Sequence, residues 1–163
     1  MNTLTRRGIR LAVITVGLAA VFVGVNAVPG AATPPVGFTN QVLGRGTYMS
    51  HESLSLQQGK DIVVSKITVA PGGTSGWHSH PGGAIIVVQQ GEVTLYASDG
   101  MGEGRHCVIT KYTQGQSFVE LPGRATKAVN TGSTDFILFV TFPDVPVGGS
   151  SRIDQPNPGV CPV

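Results

Sequence analysis

Glycine and proline interrupt this chain so often that no long helix can run through its body. Among the 163 residues are 23 Gly and 11 Pro. Between them lie short runs that are apolar or alternate in polarity: Ile62 to Val69, Ala84 to Gln89, Glu92 to Tyr96, Val108 to Tyr112, Gln116 to Glu120, Thr126 to Asn130 and Phe136 to Phe142. Nowhere in the body do about a dozen residues keep a helical apolar period free of Gly and Pro. Seven or more short strands with Gly, Pro, Asp or Asn between them predict an all-β sandwich or barrel, and periodicity alone does not choose between the two. Gln90-Gly91 predicts a tight hairpin turn, and the glycine-rich Ser98 to His106 connection joins the next pair of strands. With 40% hydrophobic and 12% charged residues, the body carries too much apolar surface and too little charge for a disordered chain.

The N-terminus has a different character. Arg6, Arg7 and Arg10 precede an apolar run from Leu11 to Val25 without acid or base, and small residues follow. This order predicts an export signal over residues 1–27, cut after Ala27, with an uncleaved membrane anchor as the alternative. Either outcome places the domain outside the cytoplasm. A flexible Pro/Gly/Ala linker is expected over 28–40, then one folded domain over 41–163. The net charge of +2 owes its sign to those three arginines, and the remainder is near neutral without basic clusters. Nucleic acid is thereby excluded as a partner. Two cysteines in an oxidising compartment predict one disulfide, Cys107 to Cys161, which would pin an irregular Pro-rich tail. Thr5-Arg6-Arg7-Gly8-Ile9-Arg10 resembles the twin-arginine export motif of bacterial proteins that fold before crossing the membrane.

The densest chemical signal is Gly76-Trp77-His78-Ser79-His80-Pro81-Gly82. His78 and His80 are two apart, so on a strand both imidazoles leave one face and can converge on one ion. The bland alternative is a pair of hydrogen-bonded histidines in a polar cleft. Gly73, His78, His80 and Gly91 resemble the first motif of the cupin superfamily, G-x5-HxH-x3-E-x6-G, with Gly72 supplying the five-residue gap. Gly115, Gly123 and Asn130 resemble its second motif, G-x5-P-x-G-x2-H-x3-N, with Pro122 one place late. The likeness spans about Ile62 to Phe142. The GWHSHPG run and the tail ending Cys161-Pro162-Val163 resemble small exported bacterial cupins of unassigned function, whose second motif carries histidines near the positions of Arg124 and Thr126.

The resemblance implies an antiparallel double-stranded β-helix, the cupin jelly-roll barrel. It also implies a divalent ion, Fe, Mn or Zn, held by three His and one Glu. Here Ala84 stands in the place of the Glu and Thr126 in that of the third His, so half of the ligand set remains and the barrel could equally hold no ion. His51, His106, Gln90 and Glu120 are the nearby residues that could complete a shell around His78 and His80. His106 adjoins the expected disulfide in a loop, His51 lies in a polar entry segment, and Glu120 either helps to complete the shell or stands on a strand face turned to solvent. Trp77 is expected in packing. Ala84, Arg124 and Thr126 are expected to line a ligand pocket, with Arg124 gripping an anion or standing solvated in a turn.

Three functions fit these residues. The expected one is a small-molecule binder using the barrel cavity, with residual metal binding through His78 and His80. The others are a metal-dependent dioxygenase or isomerase with an atypical shell, and a structural domain whose histidines are relics. Hydrolase and phosphate-loop signatures are missing. The assembly is open between a monomer and a homodimer, since many cupins pair through edge strands.

Overall fold

The computed structural model describes residues 31–47, 49, 55–99 and 104–162. The expected export signal (1–27) and His51 lie outside the described residues. Ten strands follow in order: β1 (Val36–Thr47), β2 (Asp61–Thr74), β3 (His78–Ser79), β4 (Ala84–Gln90), β5 (Glu92–Asp99), β6 (His106–Thr113), β7 (Ser117–Glu120), β8 (Thr126–Val129), β9 (Phe136–Val145) and β10 (Ile153–Asp154). Each apolar run of the sequence falls in one of them. Among the described residues no helix is long and apolar enough to cross a membrane.

The pairings form two antiparallel halves. One runs β1-β2-β9-β4-β7 and the other β10-β3-β8-β5-β6. They meet where Thr74, ending β2, pairs with Val129 of β8, and Asn130 fastens the seam. Its backbone bonds Gly72 and Gly73, while its buried amide donates to the carbonyls of Val69 and Thr134, both at 2.8 Å. The result is the nearly closed barrel that the motifs imply.

Alternation along the strands fills the interior. Val63, Val69, Val88, Phe136 and Phe142 are buried, with their neighbours turned outward. That is the period-2 pattern of a sheet with one apolar face. Tyr112 of β6 stacks on Phe118 of β7 at 4.2 Å between ring centroids and packs against this core.

Two local expectations are corrected. β1 begins at Val36, so Val36 to Asn40, assigned to the flexible linker, are paired strand, and Phe38 packs on the core. The strand runs beside β2 with shifts at Val36/Phe38 and Val42/Gly44, and those irregularities blur the alternation that would reveal it in sequence. Gln90-Gly91 does not close a hairpin either. β4 pairs with β7 and β9, and β5 with β6 and β8, so the turn carries the chain from one half of the barrel to the other. Gly91 adopts φ +74°, and a Cβ there would lie 2.9 Å from the Asp135 carbonyl oxygen. Glycine is required by a crossover here. The Ser98 to His106 connection does join a hairpin, β5 to β6.

The C-terminal segment is strapped across one end of the barrel. Ile153 and Asp154 pair with Ser79 and His78, and the Gln155 side chain donates to Ser79 Oγ at 2.9 Å. Beyond them Cys161 bonds to Cys107 of β6, closing a separation of 54 residues. A loop of that length contributes about 3 to 5 kcal/mol in the chain-entropy model. The Cys107→Ser/Cys161→Ser variant is therefore expected to unfold in urea with a stability lower by about that amount. An unchanged unfolding midpoint would mean that the strap is held by its other contacts alone.

Candidate metal centre

β3 is two residues long, and its brevity places the site. His78 is drawn into the sheet by Asp154 on one side and Thr126 on the other. After His80 the chain bends through Pro81-Gly82-Gly83 before β4 starts. Gly83 has φ +80°, and an added Cβ would lie 2.5 Å from the Glu120 carbonyl oxygen. This close approach brings β4 against β7 in a register that pairs Ala84 with Glu120.

That register decides between the two places the sequence leaves open for Glu120. Glu120 is 7% exposed and shares the inward face of β7 with Phe118. Its Oε2 lies 3.0 Å from His80 Nε2 and 3.9 Å from His78 Nε2. The carboxylate absent at Ala84 thus reaches the same place from the directly opposing strand position. The signal was present in the sequence: Glu120 has the parity of Phe118, two residues earlier.

Both imidazoles are oriented by backbone carbonyls. His78 Nδ1 lies 2.9 Å from the Gly76 oxygen and His80 Nδ1 lies 2.6 Å from the Ser151 oxygen. A carbonyl only accepts, so each Nδ1 carries the proton and donates it. In the neutral rings both Nε2 lone pairs therefore face Glu120. Burial first, with His80 and Arg152 adding to it, pushes the His78 pKa down to about 4 against the opposing pull of Glu120. Burial works against ionisation of Glu120, but imidazole protons facing it, through a hydrogen bond at His80 and the positive charge they carry, outweigh burial and hold the carboxyl below its usual range.

An imidazole lone pair and a carboxylate oxygen 3.0 Å apart repel unless a proton or a cation sits between them. The three donor atoms lie within 4.8 Å of one another. Two imidazole nitrogens and one carboxylate oxygen suit Zn, Mn or Fe, and hydrogen-bonded Nδ1 atoms are what metal-binding histidines commonly have. The residues present fit a divalent ion.

Beside them is a cavity of about 50 Å3, walled by Phe38, Ile67, Ile86, Leu138 and Phe142 among others, with Ala84 and Arg152 also on its lining. Thr126 is buried next to the site. Its hydroxyl donates to the His78 carbonyl oxygen at 3.5 Å. Arg124 does not reach the cavity. Its Nε donates to the Ser98 carbonyl at 3.1 Å and Nη2 lies 3.5 Å from Asp99, which hold it on an outer groove. His106 is exposed and Gln90 donates to the Asp135 carbonyl, so neither joins the site. Trp77 is buried, with Lys127 Nζ 5.3 Å from its ring.

Comparison with known proteins follows this geometry. Residues 65–142 match the family described as Cupin domain. No curated protein matches the chain by sequence. Among solved structures, an oxalate oxidase in complex with glycolate is similar at 22% identity and TM-score 0.53, over 71% of this chain and 55% of that one. Peruvianin-I, a cysteine peptidase from Thevetia peruviana latex, is similar at 15% identity and TM-score 0.53, over 73% and 68% of the two chains. Bacillus subtilis oxalate decarboxylase, described with Mn(II) centres, is similar at 18% identity and TM-score 0.50, over 59% and 24%. The chain spans about half the length of the oxalate oxidase chain, 55%. At such identities the likeness is one of fold.

The depressed His78 pKa has a measurable consequence in metal-free protein. Between its folded value of about 4 and the ordinary value of 6.5, the unfolded chain binds the extra proton, so stability falls as pH drops through that window. The loss reaches about 3 kcal/mol near the lower end. Urea unfolding at several pH values checks this, and His78→Gln is expected to remove most of the slope. A variant with the wild-type slope would contradict the assignment.

Proposed function

The chain carries a cupin domain, and from that premise we propose that it is an exported protein holding one divalent metal ion through His78, His80 and Glu120. A small molecule then occupies the adjoining cavity. The single observation behind this reading is the inward Glu120 carboxylate, paired with Ala84 and set 3.0 Å from His80 Nε2. A purely structural pocket gives no reason to bury a carboxylate against two imidazoles, since that burial is costly without a compensating charge.

The residues divide the work. His78 and His80 offer Nε2 because Gly76 and Ser151 hold their Nδ1 protons. Glu120 offers an oxygen and one negative charge. Three protein donors leave positions for a ligand, as in catalytic rather than structural sites. A divalent ion bound there supplies Lewis-acid polarisation of a ligand oxygen. The apolar walls exclude water and select a small ligand. The Mn(II) centres of the similar decarboxylase support manganese as a candidate alongside iron and zinc. Peptidase chemistry does not carry over from the latex protein, because both cysteines of this chain are in its disulfide. Export is supported by the basic, apolar and small-residue order of residues 1–27 and by the disulfide, which requires an oxidising compartment.

Metal analysis of natively purified, tag-free protein tests this function. About one Mn, Fe or Zn per chain is expected, with none in His78→Ala/His80→Ala and affinity at least about tenfold lower in Glu120→Gln. Equal metal content in all three proteins, or no uptake by the wild type offered each ion in turn, would remove the metal reading.

A further inference from the structure

Arg152 lies outside the region that matches the cupin family, in the C-terminal strap, yet it lines the cavity beside His78, His80 and Glu120. Its Nε donates to Asp154 Oδ1 at 2.7 Å. Its two terminal nitrogens, Nη1 and Nη2, are buried and have no hydrogen-bond partner. The ion-pair partners of Glu120 are the two histidines, so that carboxylate does not satisfy the guanidinium.

Buried guanidinium nitrogens left unpaired cost several kcal/mol, which makes them a feature to be explained by a ligand. Charge points the same way. With neutral histidines, Glu120 and Arg152 cancel, and a divalent ion leaves the pocket doubly positive. Asp154 is largely exposed and turned to the Nε side, so it offsets this only in part.

We propose that Arg152 is the anion-binding residue of the site and that the ligand is a short-chain carboxylate, gripped by Nη1 and Nη2, with the nearby metal position adding positive charge. The assignment deepens the metal-site reading and rests on it for that second charge. The paired nitrogens of a guanidinium match the two oxygens of a carboxylate in one plane. The apolar part of the wall, Phe38, Ile67 and Phe142, offers no donors to the further oxygens of a phosphate. The cavity volume of about 50 Å3 admits only a few heavy atoms.

The same strap contributes the Ser151 carbonyl that orients His80. Consecutive residues thus set one metal ligand and the anion grip, and β10 pairing with β3 fixes both. Asp154 acts as a positioning residue, since it pairs with His78 in that register and holds Nε from the outside.

Calorimetric titration with acetate, propionate and inorganic phosphate tests the proposal on the full mature protein, both Mn-loaded and metal-stripped. Metal content is measured on each sample. Saturable acetate binding is expected, weakened at least about tenfold in Arg152→Gln, with metal content and disulfide unchanged. Arg152→Lys should recover only part of the affinity, because it restores the charge without the fork. Asp154→Asn should weaken acetate several-fold while leaving the guanidinium in place. Wild-type affinity in Arg152→Gln, no saturable acetate binding by the Mn-loaded wild type, or phosphate bound more tightly than acetate would each overturn the proposal. The two readings fail separately. Arg152-dependent acetate binding by a protein that takes up no metal removes only the metal, and metal uptake with Arg152-independent acetate binding removes only the anion site.

Discussion

A carboxylate can stay ionised inside an apolar barrel only if positive charge or hydrogen-bond donors face it, and Glu120 is arranged around that requirement. It is 7% exposed, and positive charge on the facing imidazoles is what holds its pKa below the usual range. Those imidazoles have already spent their Nδ1 protons on carbonyls. What remains between three acceptors is room for a proton or a cation. Without one, the site is electrostatically incomplete, and the fold holds it in that condition rather than relaxing it.

The surrounding architecture converges on the same point. The seam at Asn130 joins the two halves, the short β3 is clamped between β8 and β10, and the bend at Gly83 brings β4 against β7. The cross-strand pairing of Ala84 with Glu120 puts a carboxylate beside His78 and His80 from β7, where the family pattern has a glutamate on β4. Side chains directly opposite in an antiparallel pair have Cβ atoms about 5 Å apart, within the reach of a glutamate side chain. Exchanging which strand carries the carboxylate therefore preserves the donor set while changing the sequence signature. The strap adds what the barrel lacks. Ser151 orients His80 and Arg152 brings a cation to the cavity, and both depend on β10 and on the Cys107–Cys161 bond that holds the tail down.

Most of the fold was legible because its runs alternate and are punctuated. β2 and β4 through β9 appear as expected, and the disulfide was readable from two cysteines together with the expected export. β1 was not, since its bulges and largely exposed side chains hide the period of an edge strand. The Gln90-Gly91 turn was visible but its use was not, because a local dipeptide does not say which strands will pair. At the site, His78 and His80 were found by spacing. Glu120 was named as a residue able to complete the shell but could not be placed, because its register opposite Ala84 exists only once the sheet forms. Arg124 drew attention by its closeness in sequence to Thr126, yet Ser98 and Asp99 hold it outside. Arg152, which does line the cavity, sits in a tail with no pattern to mark it.

Anomalous scattering from crystals of the mature protein grown with Mn(II) tests the central claim most directly. The account predicts one peak bonded to His78 Nε2, His80 Nε2 and a Glu120 carboxylate oxygen, lost in Glu120→Ala. A peak elsewhere, no peak, or the same peak in Glu120→Ala would contradict it.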